Sequence, residues 1–279
     1  MKLLDFASNT YSQSGEDGII SKLLELLPER TNWCVEFGAW DGQHLSNTCN
    51  LIHNSGYSAV LIEADATRFQ QLLRRYADNP RVVPLNRFVG FTPADNLDVL
   101  LSEIAIPHDF DFLSVDIDGN DYHVWRAITK LRPKIVCIEY NPTIPDPVDF
   151  VQPADPEISQ GSSLLAITRL AREKGYELVC VTRLNAFYVQ ASLYSIFGIL
   201  SNSISALRED YSDITYFFCG YDGSLFLRGA ERSPWNDIRH LARIRQLPWP
   251  FRVYVGNQHP ALFHAFRLYR ALCRLFDRG

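Results

Sequence analysis

The residues best placed to do chemistry are acids and glycines at the ends of apolar runs. The stretch WCVEFGAWDGQHLS spaces Glu36, Gly38, Ala39 and Gly42 as E-x-G-A-x-x-G. Glycines at a strand-to-helix turn let a ligand reach the backbone, and the following helix start offers unpaired N–H groups. The next apolar run, SAVLIEAD, ends in Glu63, 25 residues after Gly38. In nucleotide-binding α/β folds an acid at about that interval hydrogen-bonds ribose hydroxyls. A tight turn followed by a solvated glutamate would leave the same letters.

A second group follows in DFLSVDIDGNDYHVW, which holds Asp116, Asp118 and Asp121 within six residues, and in KIVCIEYNP, which delivers Glu139 and Asn141. Carboxylates converging without basic neighbours repel one another and need a shared proton, a cationic ligand or a metal. An oxygen-only set suits Mg²⁺ or a similar hard cation. The plainer alternative is that Asp118 caps the next helix and Gly119 makes the turn. Near the N-terminus, Ser12, Gln13, Glu16 and Asp17 precede the first strand; there Ser14 and Asp17 also read as a cap for a helix beginning near Gly18.

Elements that hold these residues alternate regularly. Helical patterns fall at Gly18 to Leu27, Ser46 to Ser55, Ala66 to Tyr76, Leu97 to Ile104, Asp121 to Lys130 and Ser162 to Lys174. Between them run seven Val/Ile/Leu-rich strands: Trp33 to Phe37, Ser58 to Ile62, Val82 to Asn86, Phe112 to Asp116, Ile135 to Glu139, Glu177 to Thr182 and Ala186 to Val189. This predicts an α/β fold with a mostly parallel seven-stranded sheet and helices on both faces. In such a sheet ligands bind beyond the carboxyl ends of the strands, where the acids stand. Asn141 to Gly161 carries five prolines and reads as a long loop after the fifth strand, either an acceptor-binding lid or a surface excursion.

Taken together, these segments resemble the FkbM-type family of S-adenosylmethionine-dependent methyltransferases. Glu36, Gly38, Ala39 and Gly42 match its first motif, and Glu63 its acid after strand two. Asp116, Ile117, Asp118, Gly119 and Asp121 match its D-[IV]-[ED]-G-x-[ED] block, and Ile138 and Glu139 its I-E stretch. YSQSGEDGII is similar to the Y-S-Q-x-G-x-D segment that precedes the first strand. The likeness spans roughly residues 10–190. It implies a Rossmann-like class I methyltransferase fold and methyl transfer from S-adenosylmethionine to a hydroxyl of a glycan or small metabolite. The cofactor would lie against Glu36, Gly38, Ala39, Gly42, Glu63 and Asp116. The hydroxyl proton would leave to a base or under the influence of a metal. His123 is the preferred base and His44 the second, with Asp116 and Asp118 as further catalytic groups. Asp116, Glu139 and Asn141 are the Mg²⁺ candidates. Two rivals stand beside this reading: a catalytically inactive methyltransferase-like binding module, and a nucleotide-dependent oxidoreductase.

The chain has 279 residues and a net charge of −5, with 47% hydrophobic and 21% charged residues, which excludes wholesale disorder and rod-like repeats. The charge is uneven. From Glu231 onward nine Arg and no Lys stand against three acids, a surplus of six that leaves −11 for residues 1–230. An acidic body is no nucleic-acid partner but suits a cationic cofactor. We therefore expect a catalytic domain over 1–195 and a C-terminal extension over 196–279. The extension would hold a hairpin at Asp222-Gly223 and a basic amphipathic helix, with Arg267, Arg270, Arg274 and Arg278 on one stripe and Leu262, Phe266, Tyr269, Cys273 and Phe276 on another. That helix would dock on the acidic body or touch a membrane surface, and Trp235 and Trp249 would anchor the extension by packing. Six scattered cysteines without a C-x-x-C pair, no signal-like start and no long apolar run point to a cytoplasmic protein.

Overall fold

The computed structural model describes residues 1–221, 224–240, 243–245, 251 and 260–276. The chain divides into two compact units, Met1–Tyr211 and Ser212–Gly279. Residues 196–211 belong to the first, where Phe197, Ile199 and Arg208 are buried.

The first unit is built on seven strands: β1 (Trp33–Phe37), β2 (Ser58–Ile62), β3 (Val82–Leu85), β4 (Phe112–Val115), β5 (Ile135–Glu139), β6 (Tyr176–Val181) and β7 (Asn185–Gln190). Their order is β3-β2-β1-β4-β5-β7-β6, parallel throughout except for β7, which runs antiparallel to both neighbours. This is the mostly parallel, Rossmann-like α/β sheet that the alternating pattern predicts. Every strand core is apolar because both faces are covered. Val35, Phe37, Val60, Ile62, Leu113, Val115, Val136 and Ile138 point to one side, against α4 (Leu97–Leu100), α5 (Asp121–Ala127) and α6 (Leu164–Glu173). Their neighbours Cys34, Ala59, Leu61, Phe112, Ile135 and Cys137 point to the other, against α1 (Glu16–Leu26), α2 (Cys49–Asn54) and α3 (Ala66–Arg75). A short α7 (Ile204–Leu207) completes the unit.

Two features position the site. Register aligns Phe37 with both Ile62 and Val115, so β1, β2 and β4 end together at one edge. At that edge Gly38 has φ +73, and a Cβ there would lie 2.1 Å from the Asp116 carbonyl oxygen, so only glycine lets β1 and β4 close up.

In the second unit β8 (Thr215–Cys219), β9 (Ser224–Gly229) and β10 (Arg243–Arg245) form an antiparallel sheet in the order β10-β9-β8, and α8 spans Pro260–Phe276. Asp222, Gly223, Trp249 and Arg278 lie outside the described residues. No helix among the described residues is long and apolar enough to cross a membrane.

Candidate functional site

A cleft of about 330 Å³ opens beyond the carboxyl ends of β1, β2, β4 and β5. Gly38, Ala39 and Trp40 line it where β1 ends, with Glu63 and Ala64 after β2, Asp116, Ile117 and Asp118 after β4, and Glu139 at the end of β5. Gln13 and His44 also border it. The sheet thus brings into one hollow the acids that the sequence separates by as many as 103 positions, from Glu36 to Glu139.

The two glutamates at the β1 and β2 end of the cleft are organised by the chain itself. Glu36 accepts hydrogen bonds from Ser46 Oγ at 2.6 Å, Thr48 Oγ1 at 2.7 Å and the Asn47 backbone N–H at 2.8 Å. Burial pushes its carboxyl above the usual range, and those three donors pull it back. Its main task is therefore to fix the 46–48 turn that leads into α2. Glu63 accepts from the backbone N–H groups of Trp40 at 2.8 Å and Asp65 at 2.7 Å, one on each oxygen. Each oxygen keeps a second acceptor position, and together they stand beside the Gly38–Trp40 turn as a rigid two-pronged acceptor.

At the other end Asp116, Asp118 and Glu139 offer one oxygen apiece within 4.8 Å of one another. None of these three carboxylates accepts a protein hydrogen bond among the described residues. Burial first, then repulsion from Asp121 and Asp118, raises Asp116 well above the usual carboxylate range, and Glu139 is raised by burial and by Asp116 in the same way. Asp121 differs from its neighbours. Its carboxylate accepts the Ile117 and Gly119 backbone N–H groups at 3.0 Å each, which ties the turn before α5. Burial outweighs those bonds and brings it up to about 6.

Three expected residues do not join the cleft. His123 donates from Nε2 to the Gln152 carbonyl at 2.8 Å and packs against Phe91 and Tyr122, so its ring secures the loop after β5 and is not positioned as a base in the cleft. Asn141 accepts from Thr143 and donates to the Gln160 carbonyl at 2.7 Å, which spends its amide on the same loop and takes it out of the oxygen set. Asp118 stands in its place. Gly42 serves packing: with φ +75, a Cβ there would meet the Tyr76 ring at 2.6 Å. Of the N-terminal acids, Glu16 bonds Ser14 N–H and Thr182 Oγ1, and Asp17 Oδ2 gathers three backbone N–H groups from Thr10, Tyr11 and Ser12. Both hold the segment in place, while Gln13 is its contribution to the cleft.

Sequence reasoning missed the aromatic and basic border of the cleft. Arg68, from the first turn of α3, lies 3.6 Å over the Trp40 ring, and Phe88 is exposed at the mouth beside Arg87. Trp40, Leu45 and Asp118, all lining the cleft, have φ of +51, +53 and +56, where side chains other than glycine are strained. The only signal for these in the sequence is Trp40 inside the glycine motif.

No protein-family model and no curated protein sequence matches the chain. Among solved structures it is similar to the CMeT domain of the citrinin polyketide synthase, at 14% identity and TM-score 0.43, over 63% of this chain and 51% of that one. It is also similar to the glycopeptide N-methyltransferase MtfA complexed with (S)-adenosyl-L-methionine, at 12% identity and TM-score 0.36, over 67% and 95%. A SAM-dependent methyltransferase from Aquifex aeolicus aligns at 12% identity and TM-score 0.36, over 61% and 88%. The chain spans about half the length of the first of these.

Proposed function

We propose that the protein is an S-adenosylmethionine-dependent methyltransferase that methylates a hydroxyl of a glycan or small metabolite. The observation that carries this reading is the pairing, in one cleft, of a fixed two-oxygen acceptor at the end of β2 with three unbonded carboxylates at the ends of β4 and β5. A ligand with a ribose at one end and a positive charge toward the other fits that distribution. Glu63 would hold the ribose hydroxyls. The Gly38–Ala39 turn lets the ligand lie against the backbone, and Asp116 compensates the cationic end. The cofactor brings a methyl group already activated on a sulfonium, so the chain's work is alignment and removal of one proton. With His123 committed to the loop, that proton falls to a carboxylate of the cluster or to His44, which borders the cleft. The hydroxyl acceptor rests on the family resemblance.

A metal-assisted variant is favoured by one specific feature: Asp116, Asp118 and Glu139 form an oxygen-only set of the size a hard cation requires. These three would hold Mg²⁺, which there would lower the acceptor hydroxyl's pKa. Incubation with methyl-labelled cofactor and a cell-extract acceptor pool, with and without EDTA, tests both. Label transfer that stops in Asp118→Asn supports the site, and full activity in EDTA removes the metal. Absence of both transfer and cofactor binding overturns the proposal.

A further inference from the structure

Between Asp237 and Asp277 the sequence contains no acid and seven arginines, so its charge favours an anionic partner. Within it, α8 distributes its side chains unevenly. Leu262, Phe266, Tyr269 and Cys273 are half-buried, and Phe266 and Tyr269 pack on Phe251 at centroid distances of 5.6 and 5.3 Å. At about 100° per residue the apolar arc extends further round the helix than this contact. Leu268 and Leu272 continue it and are 65% and 47% exposed. Arg267 and Arg270 rise from the opposite side, exposed and without a carboxylate partner among the described residues. In the same unit β8 has β9 on one side and no described strand on the other, and its Tyr216, Phe217 and Phe218 are exposed.

We infer that the second unit binds an anionic lipid surface, with α8 lying in the interface, its leucine side toward the acyl chains and its arginines toward the headgroups. Charge complementarity selects an anionic partner. The bare leucines select lipid over nucleic acid, because aliphatic side chains do not stack on bases, whereas an amphipathic helix with arginines opposite leucines buries its apolar side at a headgroup boundary. Juxtamembrane arginines contribute about a factor of five each near such a surface. The inference does not depend on the methyl-transfer reading.

The test is sedimentation of the full chain with phosphatidylcholine vesicles containing about 30% phosphatidylserine, and with pure phosphatidylcholine vesicles. A single-stranded oligonucleotide serves as the anionic control. The expected result is binding to the mixed vesicles only, weakened about thirty-fold in Arg267→Gln/Arg270→Gln, restored in Arg267→Lys/Arg270→Lys, and lost in Leu268→Ser/Leu272→Ser. Circular dichroism and gel filtration establish that each variant is folded. Failure to bind either vesicle overturns the inference. So does binding that ignores the arginines or the leucines, or capture of the oligonucleotide with vesicles left alone.

Discussion

Glu63 joins the fold to the proposed chemistry through one carboxylate. Because it accepts two backbone N–H groups as well as facing the cleft, replacing it touches both. Glu63→Gln is expected to weaken S-adenosylmethionine binding about 10- to 100-fold and to lower stability by about 1–2 kcal/mol, as a lost charged hydrogen bond does. Calorimetry and chemical denaturation would read the two separately. Unchanged affinity would remove Glu63 from the ribose position. The acids across the cleft carry a second expectation. Asp121 is raised to about 6 from 3.8, and Asp116, Glu139 and Glu36 are raised too, so the folded chain keeps protons that the unfolded chain releases above about pH 4. The stability this confers is complete below pH 4 and is lost as pH rises through about 6 and beyond. In EDTA, without ligand, Tm should therefore rise by a few degrees from pH 7 to pH 5, and Asp121→Asn should flatten that rise. Asp98 and Asp41, held below 3.8 chiefly against burial by backbone N–H bonds, work in the opposite direction at lower pH only. A Tm that falls between pH 7 and pH 5 would contradict the assignment.

Among the elements, the loop between β5 and α6 does more than connect. Gln152, 1% exposed, accepts the Gln160 and Gly161 N–H groups at 2.9 and 2.8 Å and donates to the Ile158 carbonyl at 2.9 Å. Asn120 donates to the carbonyls of Asp155 and Ile158, which fastens the loop to the turn that presents Asp118. Gln152→Ala removes the acceptor of the Gln160 and Gly161 N–H groups, which are only partly buried, and should cost about 1–2 kcal/mol. Hydrogen exchange should quicken across residues 150–161, and the site should lose activity while β1 to β5 stay protected. Exchange confined to its wild-type rate would show that the loop is held by other contacts. These bonds also explain what the sequence left hidden. The strands and helices were legible because both faces of the sheet demand apolar residues, and the edge bearing Glu36, Glu63, Asp116 and Glu139 followed from the direction of the strands. Beyond a strand's last residue that logic ends. Asn141 and His123 have the right types in the right places, yet the loop folds back and claims both, through Gln160 and the Gln152 carbonyl. Trp40, Leu45 and Asp118 take left-handed backbone that no periodicity announces.

At the scale of the whole chain, charge divides the labour. An acidic first unit with its carboxylates gathered at one sheet edge suits a cationic small molecule, and an arginine-rich second unit, with ten Arg and no Lys against five acids, suits an anionic surface. The central claim concerns the first of these and is open to a direct measurement. Titration calorimetry of S-adenosylmethionine into the full chain, paired with a thermal melt in the same buffer, should give one site per chain. At a hundredfold excess over Kd, ligand binding should add about 2.7 kcal/mol of stability. The same titration of Glu63→Gln should show the weakened affinity. If the wild-type chain takes up no heat at millimolar cofactor and melts at the same temperature with and without it, the cleft is not a methyl-donor site and the account fails.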